Sequence, residues 1–294
     1  MKYITAIYIA AAAMTLITSC RGGDDTVVYP SEGDDVVFPK PQQVTVTVID
    51  YSPAPGQFVN ELPEWETGDT EADMRRKASE SINSLSLVTL GAFGGTITME
   101  LSVPITNLLG EPDFQITGNA IPTSSEPGIV EVSPDGTTWY ALRGEKWNET
   151  TPSFTVTYHL PEPEASDAEY IRWTAADGNS GWISRNSAFH TQPFFPQWKT
   201  AAPVTVTARR LPDNGKVIQE TGQYHLTPLL GYADSYPNNT PESYLNIESA
   251  VNAEGESVYL KQISFIRVTT GVLQNNGPLG ECSTEISAIY RLHK

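Results

Sequence analysis

The chain has 294 residues, with 18 Lys and Arg against 35 Asp and Glu and a formal net charge of −17. So acidic a chain lacks the cationic side chains that displace counterions from nucleic-acid phosphates, and an anionic membrane surface repels it for the same reason. Charged residues make up 18%, and 39% hydrophobic with 10% aromatic residues suffice for a sizeable core, which excludes disorder of the whole chain.

The chain begins like an exported protein. Lys2 supplies a short positive start, and the apolar run from Tyr3 to Ile17 is too short to span a bilayer comfortably. The run ends in Leu16-Ile17-Thr18-Ser19-Cys20, which resembles the lipobox of bacterial lipoproteins. Residues 1–19 are therefore expected to be a signal peptide and Cys20 the lipidated first residue of the mature protein. Residues 20–42 are polar and carry Arg21-Gly22-Gly23-Asp24-Asp25, Pro30, Pro39 and Pro41, the composition of a flexible acidic tether. Acidic residues directly behind the lipidated cysteine resemble the surface-export signal of Bacteroidetes lipoproteins, which implies a lipid anchor in the outer membrane with the protein facing outside. With Cys20 lipidated, Cys282 has no intramolecular partner, so no disulfide is expected.

From Val44 onward the pattern is that of strands. Val44–Val48 alternates apolar and polar residues, as do Thr96–Leu101, Phe154–Tyr158 and Val204–Ala208, and Ile263–Val268 reads as a core strand. Ser133-Pro134-Asp135-Gly136 and Ala176-Asp177-Gly178-Asn179 each separate two such runs and predict hairpins. One segment differs. Asp69 or Thr70 can cap a helix of about three turns, whose buried stripe would be Met74, Ala78 and Ile82, four residues apart. Twenty-two glycines and 22 prolines spread along the chain suit short strands and turns rather than a helical bundle. The expected fold is mainly β, a β-sandwich with jelly-roll-like sheets and one short amphipathic helix, occupying residues 43–294 as one ligand-binding domain. Two small sandwiches dividing near residues 161–165 are the alternative.

The usual catalytic constellations are missing. The sequence has no His-Glu-x-x-His, no Gly-x-Ser-x-Gly, no phosphate-cradling Gly-rich loop and no paired cysteines, and its four histidines are scattered. A glycosidase carboxylate pair is conceivable among 35 acids but has no spacing to mark it. No cofactor is required. Calcium is the metal that the abundant hard oxygen donors suit, with Asp234, Asn238 and Asn239 in one loop as candidate ligands and Asp177 and Asn179 in another. Both loops have the Asp and Asn that turns use for backbone reasons. Aromatic residues on polar loops form the candidate ligand site: His190, Phe194, Phe195 and Trp198, then His225, Tyr232 and Tyr236. Rings give a flat ligand contact area, and amides and hydroxyls orient it; the competing reading of Trp and Phe in a sandwich is core.

Several longer motifs occur together: Tyr51-Ser52-Pro53-Ala54-Pro55-Gly56-Gln57-Phe58, Leu90-Gly91-Ala92-Phe93-Gly94-Gly95, Ser125-Glu126-Pro127-Gly128, Phe194-Phe195-Pro196-Gln197-Trp198, Gly231-Tyr232-Ala233-Asp234 and Leu279-Gly280-Glu281. As a set they resemble a family of Bacteroidetes cell surface lipoproteins that accompany TonB-dependent outer-membrane receptors, over roughly residues 44–294. The resemblance implies a secreted β-sandwich and, for some members, a part in corrinoid (vitamin B12) acquisition; it brings no catalytic residues. One departure is Leu245-Asn246-Ile247-Glu248, where an Asp-rich strand is expected after Tyr244, which weakens a metal role borrowed for that region.

The sequence thus points to a non-catalytic surface lipoprotein that captures a small-molecule or glycan ligand, a corrinoid being the specific candidate, for a TonB-dependent receptor. Its membrane contact would be through the N-terminal lipid only, and nucleic acid is no partner. His190 or His225 could ligate cobalt, although capture through peripheral amides needs no ligation. Two other readings stay open: a surface polysaccharide-binding or -hydrolysing protein, and an adhesion or structural protein.

Overall fold

Alternating side chains need two environments, and the strands of this protein find them in layered antiparallel sheets. The structure is a computed structural model and describes residues 41–293. The segments expected to be a signal peptide (residues 1–19) and a tether starting at Cys20 lie outside the described residues, apart from the last two tether positions. In chain order the elements are β1 (Gln42–Val44), β2 (Val46–Ser52), α1 (Glu71–Asn83), β3 (Val88–Thr89), β4 (Thr96–Thr106), β5 (Phe114–Thr117), β6 (Gly128–Ser133) and β7 (Tyr140–Leu142). Then follow β8 (Thr151–Tyr158), β9 (Ile171–Ala175), β10 (Ser180–Ile183), β11 (Val204–Arg210), β12 (Gly215–Ile218) and β13 (Gln223–Leu226). The chain closes with β14 (Tyr244–Leu245), β15 (Ala250–Val251), β16 (Gln262–Thr270), β17 (Glu285–Ile286) and β18 (Ala288–Arg291).

The main layer is a six-stranded sheet of order β15-β7-β6-β16-β4-β2. A four-stranded sheet, β1-β18-β5-β14, shares its largest apolar core. Ile97, Met99, Val130, Val132, Ile266 and Val268 from the first sheet meet Phe114, Ile116 and Ile289 from the second, which is the β-sandwich that the alternation predicts. Helix α1 adds Met74, Ala78 and Ile82 to the same core, all fully buried. Thr70 caps it as a capping box: its hydroxyl accepts from the Asp73 amide at 3.3 Å, and the Asp73 carboxylate accepts from the Thr70 amide at 3.0 Å. The helix also guards an open sheet edge. Ser79 Oγ accepts from Val48 N at 2.8 Å, and Asn83 pairs with both the N–H and the carbonyl of Val46, so β2 offers those groups to no other strand.

A third sheet, β10-β9-β8-β11, is inserted between β7 and β14 and covers its own core. Phe154, Val156, Tyr158, Ile171 and Ile183 pack there with Phe93 and Phe194. Strands on both sides of residues 161–165 pair with each other, so the division into two sandwiches at that point does not occur. Both predicted hairpins are present: β6 pairs with β7 around residues 134–139, and β9 with β10 around residues 176–179. Cys282 is a free, fully buried thiol in a small third cluster with Ile129, Leu211 and Val272. Among the described residues no helix is long and apolar enough to cross a membrane.

Candidate functional site

The six-stranded sheet has a second face. While Ile97, Met99, Val130, Val132, Ile266 and Val268 point into the core, their neighbours Thr96, Thr98, Ile129, Glu131, Arg267 and Thr269 point the other way and line a cleft of about 680 Å³. Its far wall is the inserted sheet, through Thr207, Ala208 and Arg209 of β11, with Trp147 and Pro152 beside them. Gly94 permits this approach. It has a left-handed φ of 83°, and a Cβ there would lie 2.5 Å from a Val206 methyl.

Two guanidinium–indole pairs dominate the cleft. The Arg267 carbon lies 3.9 Å from the Trp139 ring centre, and that of Arg209 lies 4.0 Å from the Trp147 ring centre. Arg267 is further held by Glu131 at 3.4 Å and Thr98 at 3.3 Å. Arg209 donates to Thr150 Oγ1 at 2.7 Å and, among the described residues, forms no ion pair. Burial draws its pKa down, although a guanidinium keeps its proton throughout the physiological range. The indoles thus hold two flat, multi-donor cations in place above a floor of hydroxyls. That arrangement has the chemistry to accept carbonyl, amide or hydroxyl oxygens. A second cavity of about 520 Å³ lies beside His159, Tyr170, Arg172 and Trp182, with Glu162, Glu164 and Glu169 at its margin.

The aromatic residues singled out from sequence are not a single surface. Phe194 and Phe195 are 1% and 7% exposed and belong to the second core, where Phe194 meets Tyr170 edge-on at 5.0 Å. Asn60 fixes their backbone by donating to the Pro193 and Phe195 carbonyls. Tyr232 is buried in the third cluster and donates its hydroxyl to the Glu145 carbonyl at 2.8 Å. Trp198 stacks on Tyr51 with ring centres 5.7 Å apart, and His190 sits edge-on to Phe58 at 5.0 Å. His225 stands on another element, the β12–β13 hairpin, and Tyr236 is half-buried. Core formation took Phe194 and Phe195 because the loop after β10 folds back over the inserted sheet; the half-buried indole that meets the open cleft, Trp139, lies in the short loop between β6 and β7.

The proposed calcium loop is also rearranged. Asn238 uses its amide on Gly118, accepting from its N–H at 3.1 Å and donating to its carbonyl at 2.8 Å. Asn239 is exposed in a left-handed turn with φ 63°. In the other loop the Asp177 carboxylate accepts from the Asn179 backbone and side-chain amides, at 3.0 and 2.8 Å. Only Asp234 turns inward. It joins Glu126 and Glu285, and one ligand oxygen from each lies within 4.8 Å of the others. Asp234 Oδ1 accepts from the Asn119 and Ala120 amides and Oδ2 from the Glu285 amide, all at 2.9 Å. Glu285 Oε1 accepts from the Thr89 and Ser283 hydroxyls, and Glu126 Oε1 from the Ser283 amide. Glu281, four residues before Glu285, is 3% exposed. Burial pushes all four carboxyls up, with repulsion from the other acids adding to it at Glu126 and Glu285. Two acids four residues apart in the small-residue stretch Glu281-Cys282-Ser283-Thr284-Glu285 are the one local sequence signal for this cluster.

No family model matches the chain, and no curated protein matches it.

Proposed function

We propose that this protein is a non-catalytic lipoprotein of the outer-membrane surface that captures a nutrient ligand in the sheet-face cleft and delivers it to a TonB-dependent receptor. The export signal, the lipobox-like Cys20 and the acidic tether support the location, and the family resemblance supports the partner. The observation that carries the binding reading is the pair of guanidiniums held against Trp139 and Trp147. They are organised before any ligand arrives, so little ordering cost is left for binding. The cleft carboxylate Glu131 is ion-paired with Arg267, which suits a positioning role rather than proton transfer.

A corrinoid fits the donor pattern through its peripheral amides, and calorimetric titration of residues 21–294 with cyanocobalamin tests it. Stoichiometric heat with submicromolar affinity supports corrinoid capture; a flat trace removes it. The hydroxyl-lined floor made by Thr96, Thr98 and Thr269 favours a second ligand class, a surface glycan, and a glycan array is the corresponding test. Protection from trypsin on intact cells would sink the surface location.

A further inference from the structure

We propose that Glu126, Asp234 and Glu285 hold one calcium ion that ties three separate segments of the chain together. The three ligand oxygens lie within 4.8 Å of one another, about twice a Ca–O bond, so a single ion can touch all three. They come from the turn before β6, the loop after β13 and the start of β17, which are remote in sequence. All donors are hard oxygens. Buried carboxylates need a cation or a proton, and among the described residues none of the three, nor Glu281, forms an ion pair with Lys, Arg or His.

A separate observation points the same way. Glu281 Oε2 is buried with no hydrogen-bond partner, while its Oε1 accepts from Gln57 N at 2.7 Å. The Glu281 carboxylate packs on Gly56 and Gly91, a Cβ on Gly56 lying 2.5 Å from Glu281 Oε1 and 2.9 Å from Gly91 Cα; Gly91 N donates to Thr89 Oγ1 at 3.3 Å, and that hydroxyl donates to Glu285 Oε1 at 2.9 Å. The orphaned oxygen therefore belongs to the same electrostatic pocket, which a divalent ion would neutralise. The backbone is shaped for the acids: a Cβ on Gly118 would lie 2.2 Å from Asp234 Oδ1. The Asn119 amide, 3.3 Å from both Asp234 oxygens, donates to them with its nitrogen inward and offers a further oxygen when turned over. Glu126 is partly exposed and gives the ion a way in.

The test uses the full chain in detergent at pH 8, first stripped with EGTA and then titrated with calcium chloride. Calorimetry should give one ion per chain, and saturating calcium should raise the melting temperature by roughly 5–10 °C. Glu126→Gln and Glu285→Gln should each remove most of that rise, while Asp177→Asn, in the turn between β9 and β10, keeps it. Glu126, being partly exposed, is the milder change if Glu285→Gln fails to fold. Absence of a calcium-dependent shift in the wild type, or an unchanged shift in Glu126→Gln, overturns the proposal and leaves the cluster held by protons alone.

Discussion

Tyr158 in β8 donates its hydroxyl to the carbonyl of Phe93, 2.9 Å away, and both residues are fully buried. This bond ties the inserted sheet to the loop that leads into β4 and so sets the width of the cleft. Tyr158→Phe keeps the ring but leaves the Phe93 carbonyl without that donor. The expected loss is about 1–2 kcal/mol, read as a lower urea midpoint with an unchanged slope.

The cleft makes a separate prediction. Arg209→Gln and Arg267→Gln retain most of the side-chain bulk and remove the fixed cations. Each should weaken the ligand by about tenfold or more, close to 1.4 kcal/mol, with the larger effect at Arg209, which has no carboxylate partner. Titration with cyanocobalamin, or with a glycan selected on the array, measures it. The control is Phe189→Ala, because Phe189 is 78% exposed and lies outside the cleft. Equal affinity in both arginine variants would remove the cleft as the binding site.

The buried acids make stability depend on pH in an unusual direction when calcium is chelated. Burial pushes Glu281 up to about 7 and raises Asp234 and Glu285 as well. Unfolded carboxyls ionise near ~4.3. Between that value and about 8 the unfolded chain has lost protons that the folded one retains, so stability falls as pH rises. This contribution is complete below the unfolded value and is lost through the interval from about pH 4.5 to 8. Urea midpoints in EGTA should therefore fall across that interval, and calcium at pH 8 should restore them. Asp135 acts with the opposite sign in strong acid, because the amides of Thr138 and Thr137 hold its pKa below the usual range.

Gly95 and Gly222 separate two reasons for glycine. A Cβ on Gly95 would lie 1.8 Å from the Leu90 carbonyl oxygen and 2.6 Å from Ala54 N, both backbone atoms that cannot turn aside. Gly95→Ala should cost about 3 kcal/mol or more and lower expression. Gly222 has φ +68° with open space around it, so Gly222→Ala meets only the left-handed penalty of about 1 kcal/mol. Thermal melts of the two variants test the contrast.

What the sequence made legible was local. The helix was readable because Asp69 and Thr70 are capping residue types standing just before Met74, Ala78 and Ile82, which repeat every four residues within one segment; the capping partner Asp73 was supplied by the structure. The β9–β10 hairpin was readable because Asp177-Gly178 lies between two short apolar runs. The Val44–Val48 run was read as one strand but divides at Thr45, with β1 joining one sheet and β2 another, a choice that depends on distant partners Ile289 and Leu101. The functional geometry was least readable for the same reason. Arg209 meets Trp147 across 62 positions, and Glu126 meets Glu285 across 159, whereas Phe194 and Phe195, adjacent and aromatic, looked like a surface and are core.

The cleft floor and the main core are written into the same strands at interleaved positions. In β4 the odd residues Ile97 and Met99 hold the sandwich together and the even residues Thr96 and Thr98 face the cleft; β16 repeats the scheme with Ile266 and Val268 against Arg267 and Thr269. Substitutions at Thr96, Thr98, Arg267 and Thr269 can therefore reshape the cleft floor while leaving the main apolar core untouched. The face of the sheet can thus vary in sequence on one unaltered frame.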